Sequence, residues 1–163
     1  MEISLLPIVN AEGRELAVSE NLDFSAKNEV GVCFPKPLSF TGKFVNTGNG
    51  IELTGRGEVD AEFTCDRCGE VFEDKITFEL EEWFIKASDE TNGDPDTIVL
   101  EGDMVDLGEI VYRNLFMNLP MKVLCKEDCK GLCAKCGANL NHGECSCDKR
   151  EVNPAFADLD KLL

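Results

Sequence analysis

Basic side chains are scarce in this sequence, and their scarcity argues against one common class of function. The 163 residues include 16 lysines and arginines against 32 aspartates and glutamates, which gives a formal net charge of −16. Affinity for nucleic acid comes largely from lysine and arginine displacing counterions, so an acidic surface repels phosphate backbones. The charge therefore favours solubility, or docking onto a basic protein, over extensive direct contact with RNA.

Long apolar runs are also missing. No uninterrupted apolar stretch approaches the roughly 18 residues that a transmembrane helix requires. The first ten residues lack a basic start and contain Pro7, so they do not predict a signal peptide. We therefore expect a cytoplasmic protein that has no membrane partner and whose cysteines stay reduced.

Histidine is limited to one residue, and no nucleophile is accompanied by a positioned base. His142 lies between Cys136 and Cys145. We interpret it as a solvated loop residue, the alternative being that it replaces a cysteine as a metal ligand. Acidic pairs such as Glu81 and Glu82 lack a partner for acid–base catalysis. The sequence predicts no enzymatic activity, no catalytic residues and no small-molecule substrate.

Cysteine, by contrast, is abundant, and eight of the nine cysteines form a pattern typical of metal sites. Four thiolates make the complete inner shell of a structural zinc ion, so eight thiols suffice for two ions. Cys33 is left over between Val32 and Phe34, which are typical of a core-forming strand, and we expect it to bind no metal. The predicted zinc ligands are Cys65, Cys68, Cys125 and Cys129 in a first group, and Cys133, Cys136, Cys145 and Cys147 in a second.

The two groups rest on different arguments. In the second, a C-x2-C turn converges two sulfurs on one ion, and a pair eight residues later completes the tetrahedron. Residues 121–150 have few large apolar side chains, so a metal would hold this module together. The first group requires the turn after residue 64 and the end of a helix near residue 120 to meet at one edge of the fold.

Several alternatives stay open at this point. The chain would bind a single zinc ion if Cys65 and Cys68 were merely small buried side chains. Cys129 could instead join Cys133 and Cys136. That C-x3-C-x2-C spacing also occurs in radical enzymes that use S-adenosylmethionine, but only 27 residues follow Cys136, too few for their barrel. An iron–sulfur cluster of another type is a further alternative.

The clearest secondary-structure signal is a strand over residues 51–65, where apolar and polar residues alternate. We expect it to form a hairpin with residues 38–44 and to bend or bulge at Gly55 and Gly57. A third strand follows, whose apolar face comprises Phe72, Ile76, Phe78, Leu80 and Phe84.

A short strand over 98–100 and one helix come next. Asp106 is a good N-cap, Glu109 completes a capping box, and Pro120 ends the helix by about residue 118. The acidic residues 87–96 favour a loop, and Asn153 followed by Pro154 favours a short terminal helix.

The predicted fold class is α+β, a largely antiparallel curved β-sheet with one packed helix and a C-terminal cysteine-rich zinc module. We expect three parts: a β-rich domain with the helix over 1–120, the zinc-binding module over 121–150, and the terminal helix over 151–163.

Several motifs of this chain occur together in one known family. They are Cys65-x2-Cys68 ending a long alternating strand, the helix start 106–111, the triplet 119–121, the cysteine-rich stretch 125–141, and the terminal Asn153-Pro154 and Leu162-Leu163. On these motifs the chain, from about residue 35 to its end, resembles the YceD family. These are bacterial and plastid proteins linked to accumulation of the large-subunit (23S) ribosomal RNA.

The resemblance implies a non-enzymatic role in ribosome biogenesis. Family genes typically lie beside the gene of a small zinc-ribbon protein of the large subunit. Shorter proteobacterial members lack the second cysteine group, which implies that the first belongs to the shared core. A thiol-based regulator that responds to zinc or to oxidation is the alternative function.

The charge pattern and the resemblance together suggest the partner. We expect a large ribosomal subunit precursor or a basic ribosomal protein. Direct RNA contact would be weak, or confined to a Lys122–Lys135 patch that comprises Lys122, Lys126, Lys130 and Lys135.

Overall fold

The computed structural model describes residues 1–27, 31–86, 97–100 and 102–147. The expectation of a protein that is mostly sheet with few helices is confirmed. The predicted loop over 87–96 and the terminal helix after residue 153 lie outside the described residues. The elements are β1 (Glu2–Ser4), α1 (Leu6–Val9), β2 (Glu15–Leu22), β3 (Val32–Cys33), β4 (Leu38–Asn46), β5 (Ile51–Thr64), β6 (Val71–Lys86), β7 (Thr97–Leu100), β8 (Met104–Asp106) and α2 (Leu107–Met117).

Strands β4, β5 and β6 form the centre of the main sheet, as the alternating sequence predicts. β5 pairs antiparallel with β6 along its whole length, from Ile51 opposite Phe84 to Thr64 opposite Val71. β4 pairs antiparallel with the first half of β5. The odd-numbered side chains of β5 face the core, and the intervening polar ones lie on the opposite face. The period of two therefore fixes which face of this sheet is covered.

Of the bend or bulge predicted at Gly55 and Gly57, the bulge is wrong. The pairing of β5 with β6 runs without a break in register from residue 51 to 64. A Cβ atom at Gly55 would lie 2.4 Å from the ring of Phe40, and one at Gly57 would lie 2.4 Å from the ring of Phe78. These glycines make room for phenylalanine rings that lie across the neighbouring backbone.

The remaining strands extend the sheet on both sides. The order along the sheet is β2-β4-β5-β6-β7, and β3 pairs with β5 beyond the end of β4. Every pair is antiparallel except β6 with β7, which is parallel over residues 83–86. A separate small sheet joins β1 to β8, and the short helix α1 was not predicted.

Helix α2 begins where the sequence predicts, at the Asp106 cap. The Asp106 carboxylate accepts a hydrogen bond from the backbone N–H of Glu109 at 3.2 Å. It also forms an ion pair with the amino group of Met1 at 2.8 Å. The buried side chains of α2 belong to the same core cluster as the buried side chains of the sheet. The helix is joined to β6 by Arg113, whose guanidinium lies 2.7 Å from the carboxylate of Glu82.

The fold brings two distant turns together. Residues 65–70 connect β5 to β6, and the segment after α2 runs back past this turn. The backbone N–H of Asp66 donates to the carbonyl of Val123 at 2.9 Å, and the N–H of Val123 donates to the Asp66 carboxylate at 2.7 Å. The turn and the segment after the helix therefore lie at one edge, as the first cysteine group requires. Neither helix of the described residues is long and apolar enough to cross a membrane.

Candidate metal centres

The first cysteine group draws two cysteines from the β5–β6 turn and two from the segment after α2. The four sulfurs of Cys65, Cys68, Cys125 and Cys129 lie within 4.8 Å of one another. Cys65 Sγ is 3.8 Å from Cys129 Sγ, and Cys68 Sγ is 3.6 Å from Cys125 Sγ. A disulfide bond is about 2.05 Å long. Four sulfurs at about 2.3 Å from a central zinc ion are separated by about 3.8 Å. The spacing therefore fits a tetrahedral metal site.

The second group lies wholly within the cysteine-rich module. The sulfurs of Cys133, Cys136, Cys145 and Cys147 also lie within 4.8 Å of one another. Cys133 is buried, Cys145 and Cys147 are half-buried, and Cys136 is exposed. In the first group, three cysteines are buried and only Cys125 is half-buried. The first group is thus enclosed by the fold, whereas the second lies at the surface.

Each group contains a knuckle, a C-x2-C-G turn, and the two knuckles have the same geometry. Gly69 and Gly137 adopt φ values of 70° and 71°. Each donates its N–H to the carbonyl of the first cysteine of its knuckle, Cys65 or Cys133, at 2.9 Å. In both knuckles the N–H of that cysteine donates onward at 2.8 Å to a carbonyl beyond the glycine. Glycine is required here because other residues reach positive φ only at a cost.

Backbone N–H groups stabilise the thiolate form of one cysteine in each knuckle. Burial opposes ionisation of Cys65, but backbone N–H groups of Cys125, Arg67 and Cys68 outweigh it and lower the pKa of Cys65 to about 6. Backbone donors at Cys136 and Lys135 lower the pKa of Cys133 to about 6. A metal ligand must be the thiolate, so both turns favour the binding form of a cysteine.

Crowding prevents all four thiols of a group from ionising by themselves. The backbone of Glu70 favours the Cys68 thiolate, but burial and the neighbouring cysteines outweigh it and raise the pKa of Cys68 to about 12. The adjacent Cys136 sulfur and burial raise the pKa of Cys147 to about 12. Ionising a complete group requires a compensating cation at its centre. Each group can therefore hold a metal ion, and an all-sulfur tetrahedron is consistent with zinc.

Sequence reasoning missed the side chains that surround the first group. Asn141 donates from its amide to Cys129 Sγ at 3.4 Å and accepts from the backbone of Lys130 at 2.8 Å. Arg67 donates to the carbonyl of Cys129 at 3.0 Å. An asparagine shortly after a cysteine knuckle is the one signal that the sequence offered for this layer, because asparagine often stabilises turns.

His142 lies in neither group. Its ring is exposed and forms a hydrogen bond between Nε2 and the Glu70 carboxylate. His142 lowers the pKa of Glu70, whose other oxygen lies 3.6 Å from Cys68 Sγ. The loop between Cys136 and Cys145 therefore reaches the first group without supplying a ligand to it.

The other predicted residues are placed as follows. Cys33 lies outside both groups and is exposed, while its neighbours Val32 and Phe34 are buried. The side chains of the Lys122–Lys135 patch are all exposed. The division of the chain at residues 120 and 150 stays a prediction.

Comparison with known proteins identifies a family. A family model described as "Large ribosomal RNA subunit accumulation protein YceD" matches residues 53–163, a range that includes all eight grouped cysteines. No solved structure matches the chain.

Two relatives illustrate the range of similarity. The chloroplastic YCED homolog 1 of Arabidopsis thaliana is 31% identical over 58 residues, which cover 36% of this chain and 18% of the plant protein. An uncharacterised protein of Mycobacterium bovis is 26% identical over 121 residues, which cover 72% of this chain and 58% of the relative. The aligned part is thus less than two thirds of either relative. The family model matches more than half of the length of this chain, so the chain belongs to the YceD family.

Proposed function

We propose that this protein is a non-enzymatic, zinc-binding factor of ribosome biogenesis that supports accumulation of the large-subunit (23S) ribosomal RNA. The observation that carries the proposal is the match of residues 53–163 to the family described by that role. The same residues contain both four-cysteine groups. The metal centres would therefore shape the part of the chain that the family shares.

The chemistry of the two groups supports a structural role for the metal. In each group the four sulfurs lie close enough together to fill all four positions of a tetrahedral ion. A catalytic zinc ion keeps one position open for water or substrate, so closed sulfur sites favour a binding protein over an enzyme. Zinc itself is proposed because its structural sites are tetrahedral and rich in cysteine. The cytoplasm is proposed as the compartment, since free thiols persist there.

The surface near the metal centres is the proposed contact region. The four lysines of the Lys122–Lys135 patch are exposed in a chain whose net charge is −16. Lys126, Lys130 and Lys135 are each adjacent in sequence to a grouped cysteine, so metal binding would fix their spacing. Lys122 lies three residues before Cys125. We propose that this patch contacts a large-subunit precursor, either its RNA or a bound protein.

Depletion of the protein followed by subunit profiling tests this proposal. Cells without the protein should show reduced large subunits, and the wild-type chain should restore them. A chain with glutamate at positions 122, 126, 130 and 135 should bind two zinc ions and fold, yet restore large subunits poorly. The matched control carries arginine at the same positions and should restore them fully. Normal large-subunit levels after depletion would exclude the ribosomal role.

A second candidate function follows from the exposure of Cys136. A sulfur at the surface beside Cys133, whose pKa is about 6, has features of an oxidation-sensitive thiol. A regulator of this type should release zinc from the second group under mild peroxide and change its binding partner. A structural site should retain zinc under the same treatment, so zinc release measured with a chromogenic chelator distinguishes the two functions.

A further inference from the structure

Within the described part of the chain, the outer edge of β6 is unpaired over most of its length. β6 pairs with β5 along residues 71–84 and with β7 only through residues 83–86. Among the residues that the structure describes, none forms a backbone ladder with the outer edge over 71–82. At about 3.3 Å per residue these twelve residues expose an edge of about 40 Å.

This edge lacks three of the usual protections and carries a fourth. Strand edges are commonly blunted by proline, by a bulge, by short length or by charged side chains. Residues 71–82 include six charged residues, five of them acidic. Residues 71–82 contain no proline, and their pairing with β5 is continuous. Alternate residues of an edge strand direct N–H and C=O groups away from the sheet. The inward side chains Ile76, Phe78 and Leu80 are buried, so the strand is already held in its extended form.

The charges beside the edge indicate which kind of chain would pair with it. Glu79 and Glu81 are exposed on the outer face and form no ion pair with any other described residue. The only basic side chain of β6 on that face, Lys75, is paired with Glu58 at 2.6 Å. Arg56 of β5 lies opposite Glu79 and compensates part of this charge. With five acidic residues against one basic residue, segment 71–82 still presents net negative charge to an added strand.

A groove lies at the end of the edge, where β6 meets α2. It has a volume of about 750 Å³, and Trp83, Ile98 and Met117 supply its apolar lining. Trp83 is 38% exposed and Met117 is 76% exposed. Glu81 and Glu82 also border this groove, as does Arg113, which is paired with Glu82. An indole face beside a carboxylate suits the side chain of an arginine or lysine.

We propose that the outer edge of β6 binds an extended, lysine- and arginine-rich segment of a partner protein by strand addition. Main-chain hydrogen bonds would supply affinity, and the glutamates and the groove would select basic side chains. Pairing with a second copy about residue 80 is disfavoured, because that antiparallel register would bring Glu79 and Glu81 of both copies together. The inference rests on the proposed function only for the source of the segment, a basic protein of the large subunit.

A labelled peptide tests this proposal directly. The probe is a twelve-residue peptide of alternating lysine and valine, and binding to the zinc-loaded chain is followed by fluorescence anisotropy. The control peptide has the same sequence with every backbone nitrogen methylated, which keeps its charge but removes its N–H donors. We expect the control to bind at least tenfold more weakly. Equal binding of the two peptides would show charge attraction without strand addition and would overturn the proposal.

Charge-reversal variants locate the site. Glu79→Lys with Glu81→Lys should weaken binding of the unmodified peptide at least tenfold. Glu2→Lys with Glu12→Lys makes the same change in net charge at exposed positions elsewhere and should have a much smaller effect. Equal losses in the two variants, or no binding by the wild-type chain, would contradict the proposed edge.

Hydrogen exchange and mass measurement complete the test. Peptide binding should slow amide exchange within residues 71–82. A mass of two chains in solution, with the same amides already protected, would assign the edge to a second copy and overturn the proposal. Because all measurements use purified protein, a ribosomal role can fail while peptide binding persists, and the reverse can also occur.

Discussion

At the scale of single residues, Asn141 is the side chain that most directly supports a metal centre without ligating it. It donates to Cys129 Sγ and is the largest cause that lowers the pKa of Cys129. Its carbonyl oxygen also holds the backbone of Lys130. Removing this amide should raise the pKa of Cys129, and a proton would then compete better with the metal.

Asn141→Ala should therefore weaken metal binding at the first group by about 10- to 100-fold, the usual cost of losing such a partner. Cys129 binds metal as a thiolate, which predominates only above its pKa. When the pH is lowered, metal release from Asn141→Ala should therefore begin at a higher pH than release from the wild-type chain. Chelator competition across pH measures this. Asn118→Ala, which removes an exposed amide at the end of α2, is the control. Unchanged release in Asn141→Ala would show that the contact does not support the metal.

A substitution at Gly57 tests whether the glycines of β5 are needed because aromatic rings fill the space that a Cβ would occupy. Gly57→Ala would place a Cβ 2.4 Å from the Phe78 ring, so the ring or the strand must move. We expect a loss of about 1–3 kcal/mol in the free energy of unfolding, typical of an overpacked core. Urea unfolding measures it. Gly143→Ala, where nothing lies within 4 Å of the added atom, should change little.

A second variant separates steric conflict from other effects. Combining Gly57→Ala with Phe78→Leu should cost less than the sum of the two single changes, because the smaller side chain vacates the space that the new methyl group occupies. Simple additivity of the two losses would exclude the steric explanation.

At the scale of elements, the second cysteine group and the sheet are stabilised by different interactions. The sheet has a core of large apolar side chains, whereas residues 131–147 are joined mainly by turns and one isolated bridge between Leu132 and Asn139. A bound metal would supply most of the order of this segment. Structural zinc sites contribute on the order of 10 kcal/mol of apparent binding free energy at neutral pH.

Cys136→Ser should consequently remove one metal ion and unfold residues 131–147, while β4, β5 and β6 and the first cysteine group remain folded. Native mass spectrometry counts the ions, and amide hydrogen exchange reports which elements open. Cys33→Ser, outside both groups, should retain both ions. Loss of all structure in a single transition would show that the module and the sheet do not separate.

The elements also show what sequence reasoning can reach in this chain. The alternation over 51–64 and the cap at Asp106 were predictable, because each depends on neighbours in sequence. The bulge at Gly55 and Gly57 was wrongly predicted, because the need for glycine there comes from rings on adjacent strands. The strand over 98–100 was predicted, but its parallel pairing with β6 and the contact of Asn141 with Cys129 were missed. Both depend on residues that meet only in the folded chain.

At the scale of the whole molecule, charge is distributed unevenly. Residues 1–120 carry 25 acidic and 9 basic side chains, whereas residues 121–150 carry four acidic and six basic ones. Each zinc ion bound by four thiolates adds two negative charges, so metal loading makes the chain more acidic still. A long RNA would meet repulsion over most of the surface.

We therefore expect the zinc-loaded chain to bind a mixed-sequence RNA weakly. Its Kd should exceed the roughly 10⁻⁴–10⁻⁶ M that is typical of nonspecific binding at physiological salt. Filter binding over a range of salt concentrations measures this. Any residual binding should have a shallow salt dependence, because the Lys122–Lys135 patch offers four lysines in a chain whose net charge is −16. Tight binding with a steep salt dependence would contradict the expected avoidance of RNA.

The two cysteine groups differ in the length of chain that each one closes. Cys68 and Cys125 are 57 residues apart, whereas Cys136 and Cys145 are separated by only nine. Loop-closure entropy makes the longer closure about 1.6 kcal/mol more costly in a disordered chain. The second group therefore binds zinc more readily than the first in a chain whose sheet has not formed. An ion that also binds the denatured chain stabilises the native state less. The melting temperature should accordingly follow free zinc chiefly through occupancy of the first group.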